Sequence, residues 1–143
     1  MTAGYSGTPL PKKLGIKEGH SVATVGAPPS FASLLGPLPA GVRLDADPRG
    51  GGPFDVIVAF ASSEPEVRTR FDRARRRLRV DGGLWICWPK RSSPMATELA
   101  ERHVRAYGLS TGLVDNKICA IDDDWSGLRF VVRRADRPLR RSR

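Results

Sequence analysis

The chain has no apolar run approaching the ~20 residues that cross a bilayer, and its first residues, MTAGYSGTPLPKK, have no apolar core of the signal-peptide kind. A cytoplasmic protein with no membrane contact is therefore expected. Cysteine is scarce: Cys87 and Cys119 are the two present, each inside an apolar run. That usage fits reduced, buried thiols and excludes a disulfide scaffold. The two histidines, His20 and His103, have no partner at metal-ligand spacing, so no metal is expected. Also missing are a phosphate-binding P-loop, a GxSxG nucleophile turn and a Cys–His pairing. Aromatic residues are 7% of the chain and are not interleaved with its arginines, which argues against base stacking on them.

What is abundant is positive charge. The 143 residues carry a net charge of +9, and 24 basic residues less five lysines leaves 19 arginines. They concentrate in Arg68–Arg79 and in the tail after Arg133. Positive fields attract nucleic acids and acidic surfaces. The first cluster, however, follows a helical stripe. Val67, Phe71, Ala74 and Leu78 fall at i, i+4, i+7 and i+11, which leaves the arginines on the solvated faces.

Thr8-Pro9 and Gly15 punctuate a short first helix, with Thr8 as its cap. Strands are expected at Ser21–Val25, Val42–Ala46, Phe54–Ala61 and Leu84–Trp88, and a closing hairpin at Val114–Asp122 and Leu128–Arg134. Helices are expected at Phe31–Leu38, from Glu64 to about Val80, and at Pro94–Tyr107. Asp81-Gly82-Gly83 and Gly108 read as helix stops. Phe54–Ala61 is almost wholly apolar, as in a strand covered on both faces.

Alternating strands and helices imply a three-layer α/β domain with a mostly parallel, six-stranded sheet. The expected order is 2-1-3-4-6-5, with the hairpin as an antiparallel edge. Residues 1–134 form this single domain, 1–15 as an N-terminal cap segment, and 135–143 a basic, disordered tail.

The order, together with Leu14-Gly15-Ile16-Lys17-Glu18-Gly19-His20, Phe54–Val58 and Leu78–Leu84, resembles a trimmed class I methyltransferase, a Rossmann-like fold. Such a site implies a glycine-rich turn after the first strand, where S-adenosylmethionine meets backbone. Here that turn is Val25-Gly26-Ala27-Pro28-Pro29, with one glycine and two prolines that lack amide donors. Asp45 stands where the resemblance implies a ribose-binding acid. The chain also resembles a small actinobacterial family, a domain of unknown function. That likeness rests on Gly4–Leu10, Lys12–Ile16, Trp88-Pro89-Lys90, Val114–Asp122 (VDNKICAID) and Trp125–Arg133 (WSGLRFVVR). It implies no catalytic residues.

Ligands of open α/β sheets bind beyond the carboxyl ends of the strands. That edge should gather Gly26, Ser62, Trp88-Pro89-Lys90-Arg91-Ser92-Ser93 and Lys117, the last in a loop with Asp115 and Asn116. Ser92 or Ser93 would cap the third long helix, whose free amides favour an anion; Lys90 and Arg91 add charge, and Trp88 a flat wall. Trp125, at the hairpin tip beside Asp122-Asp123-Asp124, is a candidate partner anchor. The reading from sequence is a non-catalytic domain with no cofactor, binding a small anionic ligand or a protein partner. Its alternative is a nucleic-acid-associated protein, with a degenerate methyltransferase behind it. A homo-oligomer through the hairpin edge stays open.

Overall fold

A computed structural model describes residues 7–138. Expectations for the first six residues, and for the tail from residue 139, lie outside the described residues. Six strands form one sheet: β1 (Ser21–Val25), β2 (Arg43–Ala46), β3 (Phe54–Phe60), β4 (Leu78–Pro89), β5 (Leu113–Ala120) and β6 (Trp125–Val132). Their order is β2-β1-β3-β4-β6-β5, as expected. β1 pairs in parallel with β2 and β3, and β3 with β4, while β6 runs antiparallel to both β4 and β5. The helices are α1 (Leu10–Leu14), α2 (Phe31–Leu35), α3 (Glu64–Arg75) and α4 (Glu101–Ser110). No helix among the described residues is long and apolar enough to cross a membrane.

The period of two along the strands sorts the side chains onto two faces. Ile57, Ala59, Leu84, Ile86, Leu128 and Phe130 face α3 and α4, joining Val67, Phe71, Ala74 and Val104 in one core. Val56, Val58, Phe60, Trp85 and Cys87 face α1 and α2, joining Leu10, Leu14, Phe31 and Leu35 in the other. β3 has helices on both sides, which is why nearly all of it is apolar. Trp85 is fully buried, and its indole N–H donates to the Leu14 carbonyl at 3.0 Å, so α1 is tied to the middle of the sheet.

Several boundaries differ from expectation. α1 starts from Pro9 without a side-chain cap, while Gly15 closes it at φ 81° as expected. α2 ends at Leu35 and receives no side-chain bond from Ser30. α3 stops at Arg75 because Leu78 is needed in the sheet opposite Phe54. Val56 pairs with Gly83, so residues 79–82 stand out of the ladder. Asp81-Gly82-Gly83 is thus part of β4, not a helix stop. A Cβ at Gly82 would lie 2.6 Å from the Asp55 carbonyl oxygen, closer than any side chain tolerates. α4 starts seven residues later than expected and runs through Gly108. Asp115, Asn116 and Lys117 are inside β5 rather than in a loop, with a register shift between Asp115 and Lys117.

Both thiols are free, Cys87 buried and Cys119 half-buried. Each lies opposite Gly127, on strands that flank β6, so their backbones are roughly 10 Å apart, too far for a disulfide. Burial pushes the Cys87 thiol well above its ordinary value of 9.0, with Cys119 adding to it. On the other face, Tyr107 of α4 donates to Asp72 of α3 at 2.7 Å. That bond, then burial, raises the phenol above its ordinary 10.0.

For both groups folding favours the protonated form. The stabilisation is full below the ordinary value and is lost as pH rises through the folded value. We therefore expect unfolding midpoints to fall on the alkaline side, starting above pH 9.0, the ordinary thiol value. Cys87→Ala and Tyr107→Phe should each flatten that decline. An alkaline slope unchanged in both variants would assign it to other groups.

Candidate functional site

The parallel strands β1, β2, β3 and β4 all end on one edge, and the structure builds two adjoining features there. The first surrounds Gly26. This residue follows β1 at φ +64°, a conformation that favours glycine. Its N–H donates to Asp47 Oδ1 at 2.8 Å, so the turn after β1 is fastened to the end of β2. Asp47 itself has φ 48°, a left-handed conformation that Asp tolerates better than most residues. Across the turn lies Arg70 of α3. Its Nη1 donates to the Phe60 carbonyl, and a Cβ at Gly26 would run into that guanidinium.

Arg70 is held in a wider network. Its Nη2 reaches Glu66 Oε2 at 3.5 Å, and Glu66 Oε1 accepts from the Ser62 N–H at 2.7 Å. Ser63 caps α3 by accepting from the Glu66 N–H, as the Ser-x-x-Glu spacing allows. The Ser62 carbonyl in turn accepts from Thr97 Oγ1 at 2.8 Å. One chain of hydrogen bonds therefore links the end of β3, the start of α3 and the segment before α4, and the Gly26–Asp47 bond beside it links the ends of β1 and β2.

The second feature is a cavity of about 720 Å³ at the end of β4. Trp88, Lys90 and Arg91 line it from the strand end, and Thr97, Arg102 and His103 from the α4 side. The His103 Nδ1 accepts the Ala100 N–H at 3.0 Å, so in the neutral ring the proton sits on Nε2. His103 is therefore a hydrogen-bond donor to its surroundings.

Not every expected residue reaches this edge in the expected role. Gly26, Ser62, Trp88, Lys90 and Arg91 are there, although Trp88 is 5% exposed and serves mainly as core. Ser93 does not cap the helix. It is buried, donates to Asp124 Oδ1 at 2.8 Å and accepts from the Met95 N–H at 3.0 Å. With Lys90 N–H on the Asp124 carbonyl at 2.7 Å, it pins the junction to the hairpin tip. Ser92 is exposed and caps nothing, because α4 begins at Glu101. Lys117 is away from the edge, its Nζ donating to the Lys13 carbonyl at 3.1 Å. Asp45 is exposed, and it is Asp47 that meets the turn.

Trp125 offers no surface to a partner. It is 6% exposed and packs edge-on against Phe60, centroids 5.0 Å apart. The three acids before it shape the turn: Asp122 Oδ1 accepts from the Asp124 and Trp125 N–H groups, both at 2.8 Å. No cluster of three or more metal-ligating side chains occurs among the described residues.

Arg70, Asp47, Thr97, Arg102 and His103 were missed from sequence. For Arg70 a faint signal existed, since Glu66 and Arg70 are an i,i+4 pair on a capped helix. For Asp47 the signal was an acid directly after a strand.

No protein-family model matches this chain, and no curated protein matches it. Solved structures do. A SAM-dependent methyltransferase from Aquifex aeolicus aligns with a TM-score of 0.59 at 14% identity, over 83% of this chain and 85% of its own. Fibrillarin from Aeropyrum pernix, with natively bound S-adenosyl-L-methionine, gives 0.55 at 17% identity over 90% and 70%. Magnesium protoporphyrin IX methyltransferase from Synechocystis with bound SAM gives 0.57 at 11% identity over 81% and 71%. These likenesses establish the fold, a methyltransferase-like Rossmann domain. The similarity to a small actinobacterial family finds no support among them.

The same set corrects two expectations, a non-catalytic domain and the lack of a cofactor. The neighbours are methyltransferases, and two of the three hold S-adenosylmethionine. The physical reason is that a missing acid–base constellation excludes little here. Displacement at a sulfonium methyl releases a neutral thioether, so the protein's main task is to hold donor and acceptor in line. The turn after β1 has one glycine at φ +64°, with the Arg70 guanidinium across it.

Proposed function

We propose that this chain is an S-adenosylmethionine-binding domain of methyltransferase type, with its donor site across the carboxyl ends of β1, β2 and β3. The observation that carries the reading is the Gly26–Asp47–Arg70 arrangement. The residues fit the ligand's parts. Gly26 leaves room for close approach to backbone, and what fills that room is the far end of a flexible side chain. The Arg70 guanidinium is complementary to an amino-acid carboxylate. Asp47 and the exposed Asp45 at the end of β2 suit ribose hydroxyls. S-adenosylmethionine would supply an activated methyl group; the chain's own residues bind and orient it. The similar solved structures support this reading through their fold and their bound ligands.

An amide-resolved NMR titration of the full chain with S-adenosylmethionine tests it. The N–H signals of Gly26, Ala27, Asp47 and Ser62 should move together, and Asp47→Ala should weaken binding by about tenfold, the loss of one good polar contact. Shifts confined to other parts of the sheet, or none at millimolar ligand, would refute the assignment.

A further inference from the structure

We infer that the cavity at the end of β4 holds the methyl acceptor, and that this acceptor carries an anionic group, a carboxylate or a phosphate. The inference rests on the donor site proposed above and adds the class of its substrate. Position comes first. Glu64, which opens α3 at the end of β3, lines the cavity, and Thr97 beside it bonds the Ser62 carbonyl. The cavity therefore continues the same edge, two strands along from Gly26, or roughly 10 Å at ordinary strand spacing.

Charge comes second. Lys90, Arg91 and Arg102 line one space, and none of the three has an ion-pair partner among the described residues. Three acids share the lining. Glu101 is already bound to Arg105 at 2.7 Å, which leaves Glu64 and Glu98 against three cations. His103 adds an Nε2–H donor, its Nδ1 being occupied by the Ala100 N–H. Ser126 supplies a hydroxyl. Donors and cations thus outnumber the free acceptors, and an anion bound here meets charge-assisted hydrogen bonds. Trp88 gives the wall an aromatic edge, so an aromatic acid is a suitable probe.

The test is an NMR titration of the 143-residue chain with benzoate, phenyl phosphate and, as the neutral counterpart, benzamide. Benzoate or phenyl phosphate should shift the amides of Lys90, Arg91 and Glu101 to His103, and the better of the two identifies the acid group. Benzamide should leave these signals in place. The double variant Lys90→Ala/Arg102→Ala should raise the Kd of the better probe at least tenfold while keeping the wild-type spectrum elsewhere. Equal shifts with benzamide, anion-induced shifts confined to α3, no shift with either anion, or an unchanged Kd in the double variant would each overturn the proposal. A parallel titration with S-adenosylhomocysteine separates the two claims. Benzoate binding without S-adenosylhomocysteine binding would sink the donor site and with it the acceptor role, whereas S-adenosylhomocysteine binding without either anion would sink the acceptor class alone.

Discussion

Gly108→Val is expected to lower stability by about 2–3 kcal/mol, the range for overpacking a filled core. Gly108 lies inside α4, where valine at an open position would be the better helix former. Here a Cβ would run into the ring of Phe130, which is fully buried. That ring has no room to retreat, because Phe71 stands edge-on to it at 5.2 Å and Tyr107 stands against Phe71 in turn. The unfolding midpoint should drop by roughly 5–10 °C for a domain of this size. Adding Phe130→Leu should return part of the loss, a non-additivity expected only for residues in contact. If Gly108→Val unfolds at the wild-type temperature, α4 does not pack on β6 as described.

Arg70→Ala is expected to weaken S-adenosylhomocysteine binding by between tenfold and about a hundredfold. This is the loss of a charge-assisted contact of roughly 1.5–3 kcal/mol. In the free chain the guanidinium serves the Phe60 carbonyl and Glu66, so the substitution removes internal bonds too. The Arg70–Glu66 pair is partly exposed, and water replaces it at little cost. Phe60 is buried, so loss of the bond to its carbonyl should lower stability by about 1 kcal/mol, an unfolding shift small beside the expected loss of affinity. Arg70→Lys should recover some of the affinity, since charge is kept and the forked geometry is not. Tighter binding by Arg70→Ala would mean that the side chain blocks the cradle and does not anchor the ligand.

The sheet was legible because its signals are local and repeated. The nearly all-apolar run of β3, the alternation of strands and helices, and the closing hairpin around Asp122–Trp125 suffice for the order β2-β1-β3-β4-β6-β5. Individual glycines were not legible. Gly108, Gly82 and Gly83 look like helix stops, but Gly82 and Gly108 are places where another group approaches too closely for a Cβ, and sequence punctuation looks alike for both uses. Ser93 failed for a similar reason. A serine ahead of a helical pattern reads as a cap, whereas its hydroxyl is taken by Asp124, 31 residues away.

The candidate site was half legible. Gly26, Ser62, Lys90 and Arg91 follow from the rule that the edge beyond parallel strands binds ligands. Arg70 and Asp47 do not follow from it. Their partners, Phe60 and Gly26, are distant in sequence, and periodicity places a side chain on a face without saying how far it reaches.

If the ends of β1, β2 and β3 hold S-adenosylmethionine as proposed, calorimetric titration of the chain with S-adenosylhomocysteine should show saturable one-to-one binding with a Kd on the order of micromolar, about −8 kcal/mol, weakened in both Asp47→Ala and Arg70→Ala. The absence of binding at millimolar ligand, or a Kd that neither variant alters, would contradict the proposal.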